Sequence, residues 1–224
     1  MRYENIVRGK FIKRENRFVA KVELHKNGGT REETVHVKNT GRCEELLLEG
    51  AQVWLSENFS QGRKTAYDLV TVNKGGRLVN IDANASNAVV KEWLESGAFM
   101  KNITTIKPEF TWGSSRFDFY LEAGERRILL EVKSVTLEDQ ARALFPDAPS
   151  RRAVKHVNEL TAALQEGYES YILFVIQTEG VLYFEPNRRA QPEFADALIK
   201  ARQAGVHVLA WDCTVVKDGL RLNR

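Results

Sequence analysis

Four charged residues on two neighbouring segments have the types and spacing to act on a phosphate. Arg116 and Asp118 lie in Arg116-Phe117-Asp118-Phe119-Tyr120-Leu121, and Glu131 and Lys133 lie in Ile128-Leu129-Leu130-Glu131-Val132-Lys133. Ala123-Gly124-Glu125-Arg126 between them reads as a tight hairpin turn with Ala123 opposite Arg126, a register that sets Asp118 opposite Glu131 and Arg116 opposite Lys133. Side chains alternate along a strand, so Phe117, Phe119, Leu121, Ile128, Leu130 and Val132 are expected on one apolar face and the four charges on the other. Two opposed carboxylates, with Cβ atoms about 4.5–5.5 Å apart, repel. A hard divalent cation, Mg²⁺ or Mn²⁺, would reconcile them, because it takes carboxylates, waters and phosphate oxygens together. Lys133 points the same way and would stabilise phosphate charge or orient an attacking water. The rival reading is a solvated checkerboard in which the diagonals Asp118–Lys133 and Arg116–Glu131 attract. The residues alone leave both open.

Such a hairpin needs a sheet behind it, and residues 79–224 supply the pattern of one. Ala88, Val89, Trp93 and Leu94 recur at helical spacing over 85–96, with Gly97 as a stop. Ser150 reads as the N-cap of a helix with Val154, Val157, Leu160, Thr161 and Leu164 as its stripe, ending at Gly167. Tyr171 to Ile176 is a continuous apolar run of strand length, which belongs at the centre of a sheet covered on both faces. Leu182 to Phe184 reads as another strand, Glu193 to Ala204 as a helix closed by Gly205, and Val206 to Trp211 as a last core strand. Helices covering a mixed sheet make an α/β (α+β) domain.

The first third has a different texture. Phe18, Ala20, Val22 and Leu24 alternate with polar residues, Asn27-Gly28-Gly29 offers a hairpin turn, and Thr34 to Val37 returns. Val53 to Leu55 and Tyr67 to Val72 read as further strands, Glu44 to Leu48 as a brief helical stretch, and Gly75-Gly76 as a boundary near residue 78. About five short strands in so little chain suit a small closed barrel of the OB type, with any small antiparallel barrel as the alternative. Residues 1–78 hold 15 Lys and Arg against 10 Asp and Glu, a net +5, whereas 79–224 hold 18 against 20, a net −2. The expected division is thus 1–78, a basic barrel facing a polyanion, and 79–224, a domain that gathers carboxylates.

Apolar content of 43% and charged content of 28% exclude disorder and coiled coil. No run approaches the length of a membrane span, and no apolar stretch follows the N-terminal charges as in a secretory signal. Cys43 and Cys213 are too far apart for a zinc site of the usual spacing and make no disulfide framework, so the chain reads as cytoplasmic. Phosphate-loop, dinucleotide, nucleophile-elbow and His-Glu-x-x-His motifs are all missing from the sequence.

Asp118 followed by Glu131-Val132-Lys133 resembles the signature of the PD-(D/E)XK nuclease fold. Ser115-Arg116-Phe117-Asp118-Phe119, Glu131 to Leu137, Phe145-Pro146-Asp147-Ala148 and Lys155-His156 together resemble the sugar fermentation stimulation protein family, SfsA. Asn39-Thr40-Gly41-Arg42 and the pair Asn87 and Glu92 add to the likeness, which extends over about 10–215. Phe117, Lys38 and Ser86 stand where such signatures often or commonly have Pro. The resemblance implies an OB-like barrel followed by a PD-(D/E)XK nuclease-like domain, DNA binding, and Glu92 as a third acidic group beside Asp118 and Glu131 at the metal. The family name points to a sugar-metabolism phenotype, with regulation of sugar metabolism genes as a setting for DNA binding of low sequence specificity, and says nothing of a sugar substrate.

For DNA the candidate contacts are Arg14, Arg17, Arg42, Arg63 and Lys64 in the barrel, with Phe18, Trp54, Phe59 and Tyr67 available for base stacking. In the second domain they are Arg116, Arg151, Arg152, Lys155 and His156; the last four crowd the first turns of a helix, where cations oppose the dipole and a bound phosphate would relieve them. Three functions compete. One is a DNA-binding protein; another is a Mg²⁺- or Mn²⁺-dependent nuclease with Asp118, Glu131 and Lys133 catalytic; the third is a scaffold that binds no nucleic acid. DNA is the expected partner, a membrane is not, and a homo-oligomer is left open.

Overall fold

Alternation of apolar and polar residues builds a closed barrel at the front of the chain. The computed structural model describes residues 1–26, 29–59 and 62–223 of 224. Strands β1 (Ile6–Asn16), β2 (Val19–Lys26), β3 (Gly29–Val37), β4 (Gln52–Glu57), β5 (Tyr67–Lys74) and β6 (Arg77–Asn80) run in the order β3-β2-β1-β4-β5-β6. A parallel pairing of β3 with β5, His36 to Asp68 and Val37 to Leu69, closes the sheet on itself. Phe11, Val22, Leu24, Val35, Val53 and Leu69 fill the interior. Closure removes sheet edges, which otherwise invite aggregation.

β1 escapes a reading by periodicity, because bulges between Phe11 and Lys13 and between Arg14 and Asn16 break the two-residue period. Gly9 within it is required by contact, since a Cβ there would lie 2.6 Å from Val22 Cγ1. Asn27 and Gly28 of the expected turn lie outside the described residues; the flanking strands pair from Val19–His36 to Lys26–Gly29. Glu44 to Leu48 forms a turn closed by Leu47 N on Cys43 O at 2.9 Å, not a helix.

The rest of the chain contributes α1 (Ala83–Glu95), β7 (Thr105–Trp112), β8 (Ser115–Ala123), β9 (Arg126–Val135), β10 (Glu138–Asp139) and β11 (Arg142–Phe145). It continues with α2 (Arg151–Ala163), β12 (Glu169–Ile176), β13 (Tyr183–Pro186), α3 (Pro192–Ala204), β14 (His207–Val216) and β15 (Gly219–Leu222). A mixed sheet runs β15-β14-β12-β9-β8-β7, and a small one runs β10-β11-β13. β12 is central, parallel to both β9 and β14, as its apolar run requires. α1 packs on one face with Phe119, Leu121, Leu130 and Leu173, and α2 and α3 pack on the other with Leu129, Ile172 and Phe174. Ser150 caps α2, its Oγ accepting from Ala153 N at 3.2 Å. Among the described residues no helix is long and apolar enough to cross a membrane.

The β8–β9 hairpin has the expected register, from Ala123–Arg126 to Phe119–Leu130. At Asp118 the regular ladder stops. Glu109 of β7, between the residues that pair with Phe117 and Phe119, has φ 54°. Beyond this irregularity Phe117 lies with the α2 and α3 core, whereas Phe119, Leu121, Ile128, Leu130 and Val132 lie with α1. The expectation of one uniform apolar face is therefore corrected at Phe117: strict alternation fails where the ladder fails.

β6 crosses residue 78 and carries the barrel against the second sheet. Asn80 N donates to Gln177 O at 2.9 Å, Val79 bridges Thr178, and Lys74 Nζ pairs with Glu138 Oε2 at 3.0 Å.

Candidate functional site

The first half of β8, the second half of β9 and the start of α1 meet the barrel around a cavity of about 500 Å³. Its walls include Asp118, Glu131, Lys133 and Asn87, with Asn39 and Gly41 contributed by the barrel. The Asn-Thr-Gly turn docks here through its own side chains. Asn39 Oδ1 accepts from Gly41 N at 2.7 Å while its Nδ2 donates to Ile81 O at 3.0 Å. Asp147 Oδ2 accepts from Cys43 N at 3.0 Å, and a Cβ on Gly41 would stand 2.8 Å from the same oxygen. A side chain at position 41 would displace the Asp147 and Asn39 side chains that hold the turn.

Glu131 is 2% exposed, and its two oxygens are treated unequally. Oε1 accepts from His156 Nδ1 at 2.6 Å and from Lys133 Nζ. Oε2 is buried and has no protein partner. Burial works against the charge of Glu131, yet the charge of Lys133 and the His156 hydrogen bond hold its pKa below the ordinary value. Asp118 is half-buried; Oδ1 accepts from Asn87 Nδ2 and Oδ2 from Val132 N, both at 2.7 Å. Burial, then the negative charge of Glu131, push its pKa up to about 6.

A buried carboxylate oxygen without a donor costs on the order of 1–3 kcal/mol, more when charged, and a second carboxylate in the same wall adds repulsion. An oxygen-seeking divalent cation answers both, so these residues fit Mg²⁺ or Mn²⁺. Among the described residues no three His, Cys, Asp or Glu are gathered to hold a metal. Two carboxylates completed by water and phosphate is the usual Mg²⁺ arrangement.

Glu92 is corrected. Its Oε2 holds the Met1 ammonium at 2.7 Å, and its side chain is 57% exposed. α1 brings Ala83, Ser86 and Asn87 to the cavity; five residues beyond Asn87, at 100° per residue, Glu92 points well around the helix and about 7 Å further along. Glu95 is also elsewhere, paired with Lys91 at 3.7 Å.

The candidate DNA contacts divide. Arg116, Arg151, Arg152 and Lys155 line a second cavity of about 550 Å³, and Arg152 lines both. Arg17, which also lines the first cavity, Arg42 and Lys64 are exposed. Three others are corrected by what they already hold. Arg14 donates to the carbonyls of Arg17, Asn39, Gly41 and Arg42 and braces the Asn-Thr-Gly turn. Arg63 is bonded to buried Asp68. His156, 3% exposed, faces Glu131. Of the aromatics proposed for stacking, Phe18 and Phe59 are exposed, while Trp54 and Tyr67 belong to the interior.

Two buried side chains support the walls of the cavity. His156 shares the buried face of α2 with Ala153, Val157 and Leu160, a spacing that placed it inward. Gln177, fully buried, donates through Nε2 to Asn80 Oδ1 at 2.6 Å and to Asp82 O at 2.9 Å, and accepts from Ser134 Oγ. Its partners come from two segments far from it in the chain, so only the fold reveals them.

A family model described as "Sugar fermentation stimulation protein RE domain" matches residues 84–219, and one described as "SfsA N-terminal OB domain" matches residues 12–81. A "Sugar fermentation stimulation protein homolog" of Desulfitobacterium hafniense is 51% identical over 220 residues, 98% of this chain and 94% of the relative. One of Clostridium beijerinckii is 47% identical over 222 residues, 99% and 96% of the two chains. The structure of Pyrococcus furiosus SfsA in complex with Ca²⁺ superposes with a TM-score of 0.90 at 27% identity, covering 100% of this chain and 95% of the other.

Proposed function

This chain belongs to the sugar fermentation stimulation protein family, with an OB barrel ahead of a nuclease-like mixed sheet flanked by helices, and on that premise we propose that it binds DNA across the seam between the two. Phosphates would meet the basic cavity of Arg116, Arg151, Arg152 and Lys155 and the exposed cations Arg17, Arg42 and Lys64 of the barrel. Asp118 and Glu131 would hold a Mg²⁺ or Mn²⁺ ion that neutralises phosphate charge. The observation that carries this reading is Glu131 Oε2, a buried carboxylate oxygen with no donor of its own, in a cavity wall shared with Asp118. The Ca²⁺ complex of the Pyrococcus furiosus protein supports the preference for a hard cation. Backbone and phosphate contacts carry no base code, so the binding tolerates sequence.

A second reading, hydrolysis of the phosphodiester, is favoured by one contact: Lys133 Nζ sits on the same carboxylate that would hold the cation. From there its ammonium would stabilise negative charge on an attacking water or on the phosphate. Asp118, its pKa pushed up to about 6, is mostly ionised at neutral pH and would meet a cation as a carboxylate.

The test is incubation of the purified protein with plasmid and with single-stranded DNA in Mg²⁺, Mn²⁺ or chelator, beside Asp118→Ala and Lys133→Ala. Binding that weakens steeply with salt is expected; binding that is absent or insensitive to salt removes both readings. Nicking that needs metal and is lost in both variants establishes hydrolysis. Binding without nicking in any metal leaves the first reading alone.

A further inference from the structure

His156, reaching Glu131 from α2, shares with Lys133 the carboxylate oxygen that is occupied and so helps fix which oxygen is free. The imidazole is 3% exposed, packed edge-on at 5.7 Å from the ring of Phe117, and held at both nitrogens. Arg152 Nε lies 3.3 Å from Nε2. A guanidinium N–H only donates, so Nε2 accepts and the ring proton sits on Nδ1, which donates to Glu131 Oε1 at 2.6 Å. With Oε1 taken by His156 and Lys133, the carboxylate presents Oε2 alone. Arg152 also lines the cavity of cations next door.

We propose that His156 is a positioning residue for the cation site, its Nδ1–H orienting Glu131 Oε2 toward the metal, and that Arg152 sets the tautomer this requires. The inference rests on the reading that Asp118 and Glu131 hold a divalent cation, and it adds the outer partner that aims one of them. Outer partners that orient a ligand typically change metal affinity about 10–100-fold when removed.

Two amides separate this role from packing. The side-chain amide of Asn falls where Nδ1 lies, and that of Gln falls nearer Nε2. Ca²⁺ alone is titrated by calorimetry into the full-length wild type and into His156→Asn, His156→Gln, Arg152→Met and Asp118→Asn, with thermal unfolding in chelator confirming that each is folded. Asn should stay within about threefold of wild type, Gln should lose about tenfold or more, and Arg152→Met should fall between them. A residue that merely fills space would favour the larger amide. Equal affinities for Asn and Gln, or tighter binding by Gln, overturn the proposal while Asp118→Asn still abolishes binding and the cation reading stands. Wild type that binds no Ca²⁺ overturns both. Should Gln fail to fold, Asn against Arg152→Met decides: affinity unchanged in Arg152→Met overturns the tautomer role.

Discussion

Asp118 Oδ2 accepts a hydrogen bond from Val132 N at 2.7 Å, one residue past Glu131, where the regular pairing of β8 with β9 has already ended at Phe119–Leu130. The carboxylate takes up a backbone donor that the ladder leaves free, and so is tied to the strand that carries Glu131. Like charges are thereby held in one wall against their repulsion. The sheet's continuity is what is given up, and Phe117 changes sides as a result.

Removing that charge should stabilise the protein when no metal is present. The folded pKa of Asp118 is raised from 3.8 to about 6, so between those values the folded state binds more protons than the unfolded one. Stability from this group is full below about pH 4 and is lost as pH rises through 6. In chelator, Asp118→Asn should exceed wild type by about 1–2 kcal/mol at pH 8 and match it near pH 4. Urea unfolding at the two pH values measures the difference, and equal stability at pH 8 would show that the carboxylates are not in conflict.

The same conflict makes divalent cations stabilising. At 100 times its dissociation constant a ligand adds about 2.7 kcal/mol, which for a chain of this size is a shift of roughly 5–10 °C in Tm. Mg²⁺ or Mn²⁺ should raise the Tm of wild type, whereas Glu131→Gln should lose the shift. Glu92→Gln should keep it, because that side chain holds only the N-terminal ammonium at the surface. A shift lost in Glu92→Gln would restore the ligand role that the fold removes.

What could be read ahead of the fold was whatever depends on local pattern. The Ser150 cap, the apolar run of β12, the hairpin register as far as Phe119–Leu130 and the crowding of Arg151, Arg152 and Lys155 on one helix start all follow from spacing along one or two elements, whereas Arg116 was expected opposite Lys133 and instead joins the α2 cations. β1 was hidden by its two bulges, and the inward face of His156 by a stripe that shared Val157 and Leu160 with the buried face but took Val154 and Thr161 in place of Ala153 and His156. Arg14 and Arg63 carry the charge of DNA ligands but are occupied by carbonyls and by Asp68, partners 2 to 28 residues away that composition cannot show. Glu92 came from resemblance, and helical phase decided otherwise.

Gln177 should prove a joint between the two parts of the molecule. It is fully buried, and its amide serves Asn80 and Asp82 on the segment leading from β6 to α1 and Ser134 on β9. Gln177→Leu keeps nearly the same volume but leaves the Ser134 hydroxyl without its acceptor and removes one donor each from Asn80 Oδ1 and from the Asp82 carbonyl, which keeps Ala85 N, at a cost of about 1–3 kcal/mol. Chemical unfolding should register this loss. An unchanged midpoint would mean that the seam does not depend on the amide.

Salt dependence distinguishes cations that meet DNA from cations that hold the protein together. Each phosphate contact releases counterions, so losing one lowers the slope of log affinity against log salt by about 1. Arg116→Ala, Arg151→Ala and Lys155→Ala should each do so with little effect on stability, since their charged ends lie on the surface. Arg14→Ala should behave in the opposite way. Its guanidinium donates to five carbonyls, those of Asn39, Gly41 and Arg42 at the Asn-Thr-Gly turn and those of Asn16 and Arg17, so the variant should lose stability while the slope stays near that of wild type. Fluorescence anisotropy of a labelled duplex between 50 and 200 mM salt, roughly the range over which such contacts dominate, measures the slopes. If Arg14→Ala flattened the slope and the three surface variants did not, the DNA path would run over the turn of the barrel and not through the cavity beside Glu131.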